Sequence, residues 1–330
     1  HDAVLCLQPS FIPAVYQRCL MLKELDRHQE MSDATSHLLV LDPDSQDAWW
    51  LHAEALHRLQ QHDAALAAFD KLLILNPALH RVWSQKAGLL KDLGRNTDAL
   101  AAFEQALAHG GDADLNGYFI ASLKGLNPPS APPRSYVQGL FDDYAEHFDT
   151  HLVKVLGYQA HKVLVENLKG IGKNTYRSAL DLGCAPLLRS QVSRLEGVDL
   201  SNRMLGKARE LGLYDCLVHA DVAEHLQATD QRYDLLLSCD VFIYVGALEA
   251  VFSGAVRVLE PGGVFCFSVE PADDSQDFHL TTSQRYAHSD RYLRTLATMH
   301  GFVLVKTLAL PIRQDQQQNI DGLYLYFVKS

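Results

Sequence analysis

The chain has 330 residues, 48% hydrophobic and 21% charged, which is long for one domain and supplies apolar material for two cores. Its 40 acids outnumber 29 Lys and Arg, for a formal net charge of -11, which argues against a general phosphate-backbone binder and a nucleic-acid partner. Six scattered cysteines without a C-x-x-C pair predict no metal site, no disulfide framework and a reducing, cytoplasmic setting, and no apolar run nears the ~20 residues of a membrane span.

The first third repeats with a period of 34. Pro9, Pro43 and Pro77 are spaced by it, as are Leu25, Leu59 and Leu93. Trp49 matches Trp83, and Leu66-Ala67-Ala68-Phe69 recurs as Leu100-Ala101-Ala102-Phe103. Apolar residues fall at helical spacing within each unit, so each predicts a helix pair, with units at roughly 9–42, 43–76 and 77–110. The first departs most, with Val15 at the Trp position, Met31 for Ala and Thr35 for Phe. A 34-residue period with Trp, A-x-x-x-F and a closing Pro resembles the tetratricopeptide repeat. Leu115 to Leu123 then predicts a capping helix, closing a repeat domain over 1–123. The resemblance implies a concave face that recruits a peptide or protein partner. The sequence does not fix an oligomeric state.

Residues 124–135 hold Pro128, Pro129, Pro132 and Pro133, which predicts a semi-stiff linker. The next stretch, FDDYAEHFDTHL, mixes aromatics with acids on helical spacing and predicts an amphipathic helix opening a second domain over 136–330, either packed on that domain or serving as a helical lid over a small-molecule pocket. From Ser178, short Leu- and Val-rich runs alternate with helical patterns. Strands are predicted at 178–183, 195–199, 216–220, 233–238, 263–269, 302–310 and 323–329, and helices at 187–194, 202–211, 246–259 and 289–300. That alternation predicts a mostly parallel sheet covered on both faces. The last two strands have only the polar stretch from Arg313 to Gly322 between them, so they should pair as an antiparallel hairpin.

The strand ends carry the chemistry. Asp181-Leu182-Gly183-Cys184 closes the first strand with a glycine turn, and Asp199 closes the second, 18 residues after Asp181. A carboxylate there can accept both ribose hydroxyls, at a spacing near that used in dinucleotide folds. Asp221 closes the third strand, where it can accept an adenine amino group. Ser238 to Tyr244 follows the fourth and would face the reacting groups. Candidate bases for an acceptor proton are Asp240, Tyr244 and His288, and Arg285 could fix an acceptor carboxylate.

The stretches FDDYAEHFDTHL, LDLGC, EGVDLS and SQRYAHS resemble class I S-adenosylmethionine-dependent methyltransferases, and the whole chain resembles bacterial members that carry N-terminal tetratricopeptide repeats. The resemblance implies a Rossmann-like domain ending in an antiparallel strand, and S-adenosyl-L-methionine held against Tyr144, Asp181, Gly183, Cys184, Asp199, Leu200, Met204, Asp221, Val222 and Cys239. It implies methyl transfer to an acceptor the sequence does not name. The family pattern D-L-G-C-G-T-G stops short here: Ala185-Pro186 follows Cys184, and only 11 residues separate Cys184 from Glu196. Either a loop is missing from the sequence or the turn is deleted, so a break or disorder is expected between Cys184 and Leu187, with an empty or incompletely ordered cofactor site. A deletion would favour the alternative, a non-catalytic repeat protein with a degenerate second domain. A nicotinamide oxidoreductase is disfavoured by the missing phosphate fingerprint and the terminal hairpin.

Overall fold

A computed structural model describes residues 7–145, 158–171, 175–183, 186–315 and 318–330. The chain forms two compact units, residues 1–123 and 124–330.

The first unit contains the helices α1 Ile12–Glu24, α2 His28–Leu41, α3 Gln46–Arg58, α4 His62–Leu75, α5 His80–Asp92, α6 Asn96–Ala108 and α7 Ala113–Lys124. The pairs α1–α2, α3–α4 and α5–α6 start 34 residues apart, so the sequence period is the structural period. Burial explains the repeated residue types. Leu22, Leu56 and Leu90 are buried at one register position, and Met31, Ala65 and Ala99 at another. The Pro and Trp of each later unit meet directly: the Trp49 indole N–H donates to the Pro43 carbonyl at 2.8 Å, and Trp83 to Pro77 at 2.9 Å. In the first unit Thr35 replaces the core Phe, and its buried hydroxyl is satisfied by the Met31 carbonyl and by His52 Nδ1, each at 2.8 Å. Each pair turns through a left-handed residue at the same place, Asp26, Gln60 and Gly94.

In the second unit, α8 Arg134–Tyr144 and α9 Ala160–Glu166 precede β1 Tyr176–Leu182, β2 Val192–Asp199, α10 Asn202–Leu211, β3 Cys216–His219, α11 Val222–Ala228 and β4 Tyr233–Ser238. Then come α12 Glu249–Val258, β5 Leu259–Ala272, β6 Phe278–Leu280, β7 Tyr286–Ser289, α13 Asp290–Met299, β8 Phe302–Asp315 and β9 Gln318–Lys329. β3, β2, β1, β4 and β5 lie side by side in parallel, and β9 pairs antiparallel with β5 and with β8. Period-two alternation sorts the side chains. Leu236, Phe265, Phe267 and Phe327 join the core under α11, α12 and α13, while Leu235, Leu237, Cys266 and Tyr326 join the core under α9. Helices on both faces of a largely parallel sheet make a Rossmann-like α/β layer.

Three features depart from the sequence reading. The helix predicted at 187–194 is a short 3-10 turn, Pro186–Gln191, and β2 starts at Val192. The span from Gly183 to Gln191 is shorter than the dozen residues a full helical crossover takes, and its described part holds this tight turn. The expected break from Cys184 to Leu187 starts at residues outside those described. The polar stretch after Leu310 is not a loop: β8 and β9 run on through Arg313↔Ile320 and Asp315↔Gln318. The strands β6 and β7 add an unforeseen hairpin whose β7 pairs with the far end of β5 at Glu270↔Ala287.

The Pro-rich stretch is tied down at its second half. The Ala247 N–H donates to the Ser130 carbonyl at 2.8 Å, and the Tyr286 hydroxyl to the Pro129 carbonyl at 2.9 Å.

Candidate functional site

The carboxyl ends of β1, β2, β3 and β4 lie along one edge of the sheet, where parallel α/β folds place ligands. Asp199 ends β2 there. Its Oδ1 accepts the Ser201 amide at 2.7 Å. A carboxylate has about four acceptor positions, so this bond leaves capacity for a pair of hydroxyls. Burial pushes the Asp199 carboxyl up to about 6, against the pull of the Ser201 amide and His219. Leu200 turns its carbonyl to His219 Nε2 at 2.9 Å, and Met204 is buried on α10.

Asp181, on β1, is fully buried, and its Oδ2 accepts the Tyr214 hydroxyl at 2.7 Å. Gly197 makes this possible, since a Cβ there would stand 2.9 Å from the Tyr214 ring. Asp181 therefore braces the end of β1 from within. Gly183 has φ +113, and a Cβ would meet Val241 Cγ2 at 2.3 Å. The glycine thus admits the Val241 side chain of the β4 turn, a different reason from the ligand approach read from the sequence. Asp221 caps α11: its Oδ1 accepts the Ala223 and Glu224 amides at 2.8 and 3.1 Å. That oxygen is committed to the helix. Val222 packs against the core, and Cys239 is buried with its thiol pushed well up by burial. Cys184 lies outside the described residues, as does the side chain of Tyr144, the last residue of α8.

α8 reaches this edge through neighbouring residues. The Ser201 hydroxyl donates to Asp142 Oδ1 at 2.6 Å while its oxygen accepts the Met204 amide as the cap of α10. The Phe141 ring meets Tyr244 edge-on at 5.1 Å.

Beyond β4 the site changes character. Asp240 sits at φ +57, its N–H donating to Ser268 Oγ at 2.9 Å. Both its carboxylate oxygens accept from Arg313 Nη1 at 2.7 Å, and Arg313 Nη2 donates to Glu270. The Arg313 side chain is 2% exposed, and those of Asp240 and Glu270 are 13% and 14% exposed. Burial pushes the Asp240 carboxyl up to about 6, and the Arg313 charge opposes it. Burial also raises the Tyr244 hydroxyl, with Arg285 beside it pulling the other way. So Asp240 and Tyr244, two of the three candidate bases, stand near each other and near Arg285, and Arg313 and Glu270 join them unforeseen.

His288 is placed otherwise. It is fully buried in β7, and its Nε2 stands 2.9 Å from both the Val245 and Gly246 carbonyls. Two carbonyl acceptors require Nε2 to carry the proton. Burial pushes the ring down to about 4, so it is neutral and holds the turn after β4, in place of the base expected.

Residues 180–267 match the methyltransferase domain. Residues 46–79 and 80–108 match the tetratricopeptide repeat. The malonyl-[acyl-carrier protein] O-methyltransferase of Enterobacter lignolyticus is 25% identical over 195 residues, 54% of this chain and 75% of that protein. Among solved structures, the magnesium protoporphyrin IX methyltransferase of Synechocystis, with bound S-adenosylhomocysteine, is 16% identical over 60% of this chain and 99% of its own, with a TM-score of 0.48. The N-methyltransferase NodS of Bradyrhizobium japonicum is 20% identical over 51% of this chain and 85% of its own, with a TM-score of 0.41. Among the described residues no helix is long and apolar enough to cross a membrane, and no cluster of three His, Cys, Asp or Glu could hold a metal.

Proposed function

We propose that residues 124–330 transfer the methyl group of S-adenosyl-L-methionine to an acceptor, and that the repeats recruit a peptide or protein that carries or delivers it. The observation that carries the reading is Asp199, a half-buried carboxylate with spare acceptor capacity at the end of β2, within a matched methyltransferase domain. Asp199 would hold the ribose hydroxyls, the β1 turn at Gly183 the methionine portion, and Asp221 and Val222 the adenine edge. Bound there, the cofactor supplies an electrophilic methyl on a sulfonium. The residues after β4 orient the acceptor and, when it carries a proton, take it up; Asp240 has that place and Tyr244 lines it. Much of such catalysis comes from positioning and from excluding water, and Phe141 over Tyr244 covers that end of the site.

Calorimetric titration of the full chain with S-adenosylhomocysteine tests this. Micromolar binding that Asp199→Asn weakens at least tenfold supports the reading, and no binding overturns it. The second reading, a non-catalytic repeat protein, is favoured by one observation: among the described residues between β1 and β2 there is a 3-10 turn where an α-helix is the usual crossover. It is the reading left if the full chain does not bind.

A further inference from the structure

A buried ion network is a poor source of stability, since desolvation offsets much of the Coulombic gain. Asp240, Arg313 and Glu270 come from three places in the chain, the turn after β4, the far end of β8 and the end of β5. They converge with every charged group nearly or wholly out of water. The aspartate is held by a left-handed backbone, a Ser268 hydrogen bond and two contacts from one guanidinium nitrogen. Arg313 Nε–H is also buried and has no acceptor among the described residues. A fold that only needed packing here would do as well with apolar side chains.

We propose that Arg313 and Glu270 are positioning residues for Asp240, which takes the proton of the methyl acceptor. The inference rests on the methyltransferase reading. As the acceptor oxygen or nitrogen forms its bond to the methyl carbon, sulfur keeps the electron pair of the broken bond. The acceptor proton passes to Asp240, which later releases it to water. Arg313 keeps the carboxylate ionised and fixes its direction. Glu270 pins the other arm of the guanidinium and, being an acid itself, raises the proton affinity of Asp240. Among the described residues, the other groups that face Asp240 are Arg285 before β7, Tyr244, Cys239, Tyr158 and Tyr324. Burial raises the thiol and the three phenols, so they stay neutral.

The two positioning residues thus act with opposite sign. Arg313→Met should raise the Asp240 titration midpoint by about one unit or more, and Glu270→Gln, which keeps an acceptor for Arg313, should lower it. The midpoints are read in the full chain by carboxyl carbon NMR, with the Asp240 signal assigned from Asp240→Asn. The acidic limb of labelled-methyl transfer from S-adenosylmethionine into cell lysate should move with them, and Asp240→Asn should abolish that transfer. Binding of S-adenosylhomocysteine should stay within about twofold throughout. Arg313→Lys should restore the wild-type direction only in part, because it keeps the charge and loses the fork. Midpoints that move the same way in both variants, or not at all, overturn the proposal. If Arg313→Met does not fold, Glu270→Gln alone decides by the sign of its shift. Failure of the wild type to bind S-adenosylhomocysteine breaks the methyltransferase reading, a different result from a missing pair of midpoint shifts.

Discussion

Asp199 and Asp240 occupy equivalent places, each at the carboxyl end of a parallel strand, and burial pushes both up to about 6. Their surroundings differ in kind. Asp199 faces amides, a histidine and the helix α8, with no guanidinium bonded to it among the described residues. Asp240 is gripped by Arg313, which is shared with Glu270. A carboxylate left with spare acceptor positions suits neutral hydroxyls. One locked into an ion network suits a task in which direction and charge state must be set in advance. The same residue type at the same topological place is therefore read as two different tools, ribose grip and acceptor site.

The largest effect should come from the point where the two strand ends touch, since Gly183, just after β1, lies against Val241 beside Asp240. Gly183→Ala adds a Cβ 2.3 Å from Val241 Cγ2 at φ +113. Backbone strain and overpacking together should cost about 2–4 kcal/mol. A melting temperature lowered by roughly 5–15 °C and loss of S-adenosylhomocysteine binding are expected. Adding Val241→Ala should recover part of the stability, because it removes the clash and leaves the strain. No recovery would show that the glycine serves something other than this contact.

Next comes the proposed ribose grip. Asp199→Asn removes charge-assisted hydrogen bonds worth about 1.5–3 kcal/mol each when buried, so affinity should fall by roughly ten- to a hundredfold. In the wild type the carboxyl, raised to about 6, is protonated below that pH. Binding should therefore be full above pH 7 and weaken by up to about tenfold per unit as pH falls below 6. Asp199→Asn should flatten that slope, whereas Asp240→Asn should leave it in place.

Much of the fold was legible because its signals are periodic. The 34-residue spacing of Pro, Leu and Trp marks three helix pairs, and Trp49 on Pro43 shows why those residues travel together. The turn at 26, 60 and 94 was legible only at Gly94, since Asp26 and Gln60 adopt the same left-handed backbone without a glycine to announce it. β6 and β7 escaped notice because three and four residues are too few to show alternation. At the site, Gly183, Asp199 and Asp240 could be placed because strand ends are local features. Arg313 could not, since it lies in a polar run and meets an acid 73 residues away. Glu270 was missed for the same reason, 43 residues from Arg313. Ionic partners joined across strands leave no spacing in the sequence. Burial decided His288 as well: a histidine between Ala287 and Ser289 reads as a loop base until both carbonyls appear at its Nε2.

The smallest effect concerns that histidine, and it separates support of the site from chemistry in it. His288 is neutral, with its ring pushed down to about 4 from an unfolded value near 6.5. A depressed histidine contributes stability that is present above the unfolded value and lost as pH falls from about 6.5 toward 4. His288→Gln keeps a donor for the Val245 and Gly246 carbonyls and cannot titrate. It should lower the melting temperature by a few degrees at pH 8, because a less complementary side chain fills the pocket beside Phe278 and Tyr292. Between pH 6.5 and 5 the gap to the wild type should narrow, as only the wild type must suppress a proton. The acidic limb of methyl transfer should not move at all. A shifted limb would return His288 to the reaction and take the role of proton acceptor away from Asp240.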